Sequence, residues 1–163
     1  MMPSLDDLHR KELAFATFAA RLHDATGGAA GGAVDEALAS EFATASSTYS
    51  RALNVALQAY AGIDYAVDPG AKAYAKARIN YAYDFLALLV DIVKVLEMDA
   101  PDTKELPRRL DLLEELLLQK ESIVASTYLE SAKQELVAFH DRTVREQLEE
   151  KLARMIRDRQ DTS

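Results

Sequence analysis

The chain of 163 residues has no cysteine, no tryptophan and only three histidines. Without cysteine there can be no disulfide, no thiolate zinc or iron–sulfur site and no cysteine nucleophile, which fits a cytoplasmic protein. A di-iron helical bundle needs two Glu-x-x-His pairs and two further glutamates. None of His9, His23 and His140 follows a glutamate by three positions. We therefore expect neither a metal ion nor a cofactor.

Basic residues and long apolar runs are also scarce. Nineteen Lys and Arg stand against 27 Asp and Glu, so the net charge is −8. Nucleic acids and anionic membranes both attract basic surfaces, so we expect neither as a partner. The most apolar stretch, residues 85–96, is shorter than the roughly 20 residues of a membrane span, and it contains Asp91 and Lys94. Acids occupy the first residues, where a signal peptide has its basic region, so we expect a cytoplasmic location.

Motifs of common catalytic sites are missing as well. There is no G-x-S-x-G nucleophile elbow, and the glycine-rich segment 26–32 lacks the Lys-Ser/Thr of a phosphate-binding loop. The paired acids Glu114-Glu115 and Glu149-Glu150 fit outward helix surfaces better than a magnesium site. The sequence favours a protein without enzymatic activity, although it leaves that question open.

The sequence does contain long stretches of helical periodicity. Apolar residues recur at alternating intervals of three and four, and no segment alternates with a period of two. Breaks at 26–32 and 99–107, together with Asp68-Pro69, separate the stretches. Aspartate is a preferred N-cap and proline fits the first helical turn, so Asp68 should begin a helix. We predict an all-α fold of one domain, residues 1–163: an antiparallel up-down four-helix bundle with helices at 4–25, 33–67, 69–98 and 107–160.

The last predicted helix is too long for the bundle. Residues 107–160 would extend about 80 Å, against about 45 Å for the preceding helix. It should either bend, near 122–127 or 139–143, or project. Its end has an apolar seam between charged flanks, as in a coiled-coil strand. This seam predicts self-association, a homodimer first of all, or binding of a protein partner. The alternative is that the helix folds back on its own bundle. The candidate interface residues are Leu136, Phe139, Val144, Leu148, Leu152 and Ile156.

Five of the seven tyrosines lie between residues 60 and 85. If Asp68-Pro69 forms a tight turn between two helices, Tyr60 comes level with Arg78. Asp64 comes level with Tyr74 in the same way, so that Arg78 could donate to Asp64 across the turn. The structural interpretation is a clamp between the two helices. The functional alternative is a pocket for a small anionic or aromatic ligand, used by a binding protein or an enzyme. Its candidate lining residues are Tyr60, Asp64, Tyr74, Arg78 and Tyr81.

Overall fold

The computed structural model describes residues 2–26, 34–64, 66–98 and 105–161. Over these ranges the chain forms five helices and no strand, which confirms the all-α bundle. The helices are α1 (Pro3–Thr26), α2 (Glu36–Ala61), α3 (Pro69–Leu96), α4 (Glu105–Leu118) and α5 (Lys120–Asp161). Most of the two predicted breaks at 26–32 and 99–107 lies outside the described residues. The up-down order stays a prediction.

Aspartate caps begin two of the helices. The Asp35 carboxylate accepts the Ala37 N–H at 3.1 Å at the start of α2, and the Asp68 carboxylate accepts the Ala71 N–H at 3.0 Å at the start of α3. The predicted role of Asp68 is thereby confirmed, with Pro69 in the first turn. Each such cap satisfies a backbone donor that the helix leaves unpaired. However, α2 ends at Ala61, six residues before the predicted end at 67.

An aromatic cluster forms the centre of the core between α1, α2 and α3. The Phe15 ring centroid lies 5.4 Å from that of Phe42, 6.1 Å from that of Tyr49 and 5.5 Å from that of Phe85, with the ring planes steeply inclined. Such edge-to-face contacts are favourable because the positive ring edge meets the negative ring face. The α4 side chains Leu106, Leu110 and Leu113 complete this core and are almost fully buried.

The single helix predicted over 107–160 is in fact two helices, separated at Gln119. The break precedes both predicted bends, at 122–127 and 139–143. Backbone hydrogen bonding continues through it, since the Gln119 N–H donates to Glu115 and the Ile123 N–H donates to Gln119, each at 2.9 Å. The break turns Lys120 inward, where its ammonium reaches a buried carboxylate on α1. No glycine or proline lies at the break.

Helix α5 first lies against α3 and then extends past it. The Lys120 ammonium lies 5.6 Å from the centre of the Tyr81 ring, and the Tyr128 ring lies 6.2 Å from the Tyr74 ring. The two helices therefore run antiparallel, and α5 passes the start of α3, at Pro69, shortly after residue 132. The remaining 133–161 segment is about 43 Å long at 1.5 Å per residue. None of the helices, as far as they are described, has an apolar stretch long enough to cross a membrane.

Candidate functional site

Three charged side chains are buried together in the interior of the bundle. Glu12 on α1 has no exposed surface, and the side chains of Arg78 on α3 and Lys120 on α5 are 9% and 7% exposed. We call these three residues the buried charge cluster. Charged groups are rarely buried unless they are paired, and here three different helices each provide one.

The Glu12 carboxylate is the centre of this cluster. Its Oε2 accepts the Tyr49 hydroxyl at 2.6 Å. Its Oε1 accepts both Arg78 Nη2, at 3.4 Å, and the Lys120 ammonium. The other side of that ammonium faces His9 Nδ1 at 2.5 Å. Glu12 thus joins all three helices and α2 through one carboxylate.

The cluster has one more buried cation than buried anion. Burial lowers the pKa of Lys120, because desolvation disfavours the ammonium, and Glu12 opposes that change. Burial likewise raises the pKa of the Tyr49 and Tyr81 hydroxyls, and the negative charge of Glu12 raises both further. Among the described residues, Arg78 Nε is a buried atom without a hydrogen-bond partner.

A cleft of about 280 Å³ opens over this cluster between α3 and α5. Arg78 and Lys120 lie at its polar end, and the rings of Tyr74 and Tyr128 line the rest. Val124 and Ala125 add apolar surface, and the exposed Glu121 stands at the rim. The cleft therefore combines buried positive charge with aromatic walls.

Only part of the predicted tyrosine pocket is brought together. Tyr74 and Arg78 line the cleft, and Tyr81 is buried beside it, where its hydroxyl donates to the Leu116 carbonyl at 2.8 Å. Tyr60 and Asp64 lie elsewhere.

The expected clamp between Arg78 and Asp64 is not formed, because Arg78 donates to Glu12 and to the Leu5 carbonyl. Lys72 takes the expected place of Arg78 beside Tyr60. Its ammonium lies 4.0 Å from the centre of the Tyr60 ring and donates to the Tyr60 and Ile63 carbonyls. Lys72 and Arg78 are nearly two helical turns apart. The difference arises because α2 ends early, so the helices are joined by a longer connection than the tight turn assumed from the sequence.

Sequence reasoning missed Glu12, Lys120 and Tyr128. For Glu12 a signal existed: the buried residues of α1 follow a regular three-four spacing in which Glu12 takes a core position. That set is Leu5, Leu8, Glu12, Phe15, Ala19 and Leu22. A lone acid in an apolar row predicts a buried partner. Lys120 and Tyr128 gave no such local signal.

The six predicted interface residues all lie in the projecting part of α5, and all are exposed. The exposed fractions are 60% for Leu136, 49% for Phe139, 39% for Val144, 56% for Leu148, 57% for Leu152 and 58% for Ile156. They do not form a single face. Phe139 precedes Leu148 by nine residues, about two and a half turns, so the two lie on opposite sides of α5.

One group of described residues has the composition of a metal site. His23 Nε2 lies 3.4 Å from an Asp111 carboxylate oxygen and 3.3 Å from a Glu114 carboxylate oxygen. The Asp111 side chain is 72% exposed, so water solvates it without a metal ion. We assign no metal to this group of residues.

Comparison of the chain with protein-family models, with curated proteins and with solved structures gives no match.

Proposed function

We propose that this protein is a non-enzymatic interaction protein that forms an antiparallel homodimer through the projecting part of α5. The observation that supports this is the exposed apolar row Val144, Leu148, Leu152 and Ile156, which no other helix of the described chain covers. We call these four residues the α5 row. Burial of exposed apolar surface is the main driving force of association.

The charges around the α5 row favour a second copy of the chain as its partner. Residue 150 is a centre of symmetry: Leu148 and Leu152 lie two positions to either side, and Val144 and Ile156 lie six. Arg145 and Arg157 have uncharged counterparts, Met155 and Thr143, but four pairs of charged residues at equal distances from 150 have opposite signs. They are Glu149 and Lys151, Glu146 and Arg154, Arg142 and Asp158, and Asp141 and Arg159.

This symmetry distinguishes antiparallel from parallel pairing. When two antiparallel helices meet at residue 150, positions equally far from 150 come to the same level. Leucine then meets leucine, and these four pairs bring opposite charges to the same level. Glu150 comes level with Glu150 of the other copy, but on the side of the helix away from the α5 row. A parallel pair in register would instead bring every charge level with itself, which is repulsive.

Asp141 and Arg159, which flank the α5 row, lie on one face of the helix. Asp141 and Arg159 are separated by 18 positions, or about five full turns. Leu148 and Leu152 lie about 20° to either side of the line that joins Asp141 to Arg159 along the helix. The antiparallel dimer therefore has an apolar centre, and at each end Asp141 of one copy lies level with Arg159 of the other.

The test is the association state of a charge variant. Leu148→Glu introduces a carboxylate at the centre of the dimer interface, so we expect it to weaken dimerisation at least tenfold in sedimentation velocity experiments. Leu13→Glu is the matched control, since Leu13 is 55% exposed and also helical but lies on α1. The assignment would be contradicted if both variants weakened dimerisation equally, or if neither weakened it.

Orientation is tested by distances between spin labels. The chain contains no cysteine, so single cysteines at the exposed positions Ala138 and Ala153 can each be labelled. In the antiparallel dimer the axial separation of the two labels is about 36 Å at 138 and about 9 Å at 153, from 1.5 Å per residue. Equal, short separations at both positions would indicate a parallel pair and refute the proposed orientation.

A further inference from the structure

The cleft over the buried charge cluster has no part in the proposed dimer. It ends at Tyr128, and the paired region begins at Asp141, about 20 Å further along α5. A function for the cleft can therefore be tested independently of self-association.

The polar end of the cleft favours an anion. Both oxygens of Glu12 are already used, one by Tyr49 and the other by Arg78 and Lys120 together. The single carboxylate cannot neutralise two buried cations. In addition, the Arg78 side chain is only 9% exposed and, within the described part of the chain, its Nε has no acceptor. A carboxylate in the cleft would lie beside this guanidinium and the Lys120 ammonium, and hydrogen bonds between ionised partners are the strong ones.

The remaining walls favour an aromatic or similarly flat body. The Tyr74 and Tyr128 rings meet at 69° with their centroids 6.2 Å apart. A third ring added at their side can make the same kind of edge-to-face contact. The volume of about 280 Å³ is at the small end of ligand sites, which suits one ring with a short substituent.

The nearby acidic residues disfavour a ligand with more than one negative charge. Glu12 lies behind the two cations, and Glu121 lies at the rim of the cleft. The buried groups carry a single excess positive charge, which one carboxylate balances. A doubly charged anion such as phosphate would face repulsion from both glutamates.

We propose that this cleft binds a small aromatic monocarboxylate, with its carboxylate on Arg78 and Lys120 and its ring against Tyr74 and Tyr128. Benzoate is the simplest probe of this class. Benzamide has nearly the same shape without the charge, and inorganic phosphate is an anion of higher charge without the ring.

The experiment is an NMR titration of the full chain that follows the Arg78 Nε–H signal, assigned by its loss in Arg78→Lys. We expect a saturable shift with benzoate and an affinity at least tenfold higher than for benzamide or phosphate. A folded protein in which benzoate leaves this signal unchanged would overturn the proposal. So would tighter binding of phosphate than of benzoate.

Two variants locate the binding. Tyr128→Leu keeps apolar bulk but removes a ring, and Lys120→Met removes one cation, so each should weaken benzoate binding at least tenfold. Tyr83→Leu is the control, since Tyr83 is 48% exposed on the same helix as Tyr74 but does not line the cleft. Unaltered affinity in both cleft variants, with their helicity retained, would place benzoate elsewhere and refute the assignment.

Discussion

Replacing Glu12 with glutamine should lower the free energy of unfolding by about 3–5 kcal/mol, the usual cost of removing one partner of a buried ion pair. Glutamine has nearly the shape of glutamate and keeps an oxygen that can accept the Tyr49 hydroxyl. The charge is lost, however, and Arg78 and Lys120 then remain as two buried cations without a counter-ion. The effect thus measures electrostatics rather than packing.

This loss is large relative to the whole stability of a domain, which is about 5–15 kcal/mol. In a chain of this length each kcal/mol corresponds to roughly 2–4 °C in Tm. We therefore expect Tm to fall by about 6–20 °C. The variant should still be helical at low temperature, because the aromatic core around Phe15 keeps its rings and glutamine can still accept the Tyr49 hydroxyl.

The assay is urea unfolding followed by circular dichroism. Glu121→Gln is the matched control, since Glu121 is exposed on the same cleft, and its effect should stay within about 0.5 kcal/mol. The double variant Glu12→Gln/Lys120→Met also removes one of the two buried cations that lack a counter-ion, so it should regain a substantial part of the lost stability. A change below about 1 kcal/mol in Glu12→Gln, or no recovery in the double variant, would refute the buried-charge argument.

Two further predictions concern alkaline pH and the connection between α2 and α3. Burial raises the pKa of Tyr49 and Tyr81 above the ordinary value of 10.0. Above pH 10 the unfolded chain therefore releases two protons that the folded chain keeps, and stability should fall by about 1.4 kcal/mol per pH unit for each of these tyrosines. Tyrosinate absorbance checks this; ionisation of all seven tyrosines while the fold persists would contradict it. Lys72→Met removes the two hydrogen bonds to the Tyr60 and Ile63 carbonyls and the contact with the Tyr60 ring, so urea unfolding should show a loss of about 1–2 kcal/mol. Lys76→Met on the same helix is the control, and equal losses in the two variants would contradict a specific role for Lys72.

Local features of the sequence were sufficient to predict most of the helices. Periodicity located α1 and α3 to within two residues at each end, and Asp68-Pro69 marked the start of α3. These features depend on residues that are near one another in the chain, where helical spacing and capping operate. The break at Gln119 has no such local cause.

The candidate site depends on contacts between distant residues, and for that reason it could be predicted only in part. Local spacing indicates Arg78 as a central residue, but it predicts Asp64, across the nearest turn, as the partner. The actual partner, Glu12, is 66 positions away on α1. The place of Glu12 in an apolar row of α1 indicated a buried partner without identifying it. Lys120 is brought to the Glu12 carboxylate by the break before α5.

The mass of the full chain in solution tests the proposed function most directly. Sedimentation equilibrium over a wide concentration range should give a species of twice the 18.0 kDa chain mass. Deletion of residues 141–163 should return it to a monomer while the helicity per residue stays nearly unchanged. A full-length chain that remains an 18.0 kDa monomer at every concentration, or a truncated chain that still dimerises, would contradict self-association through α5.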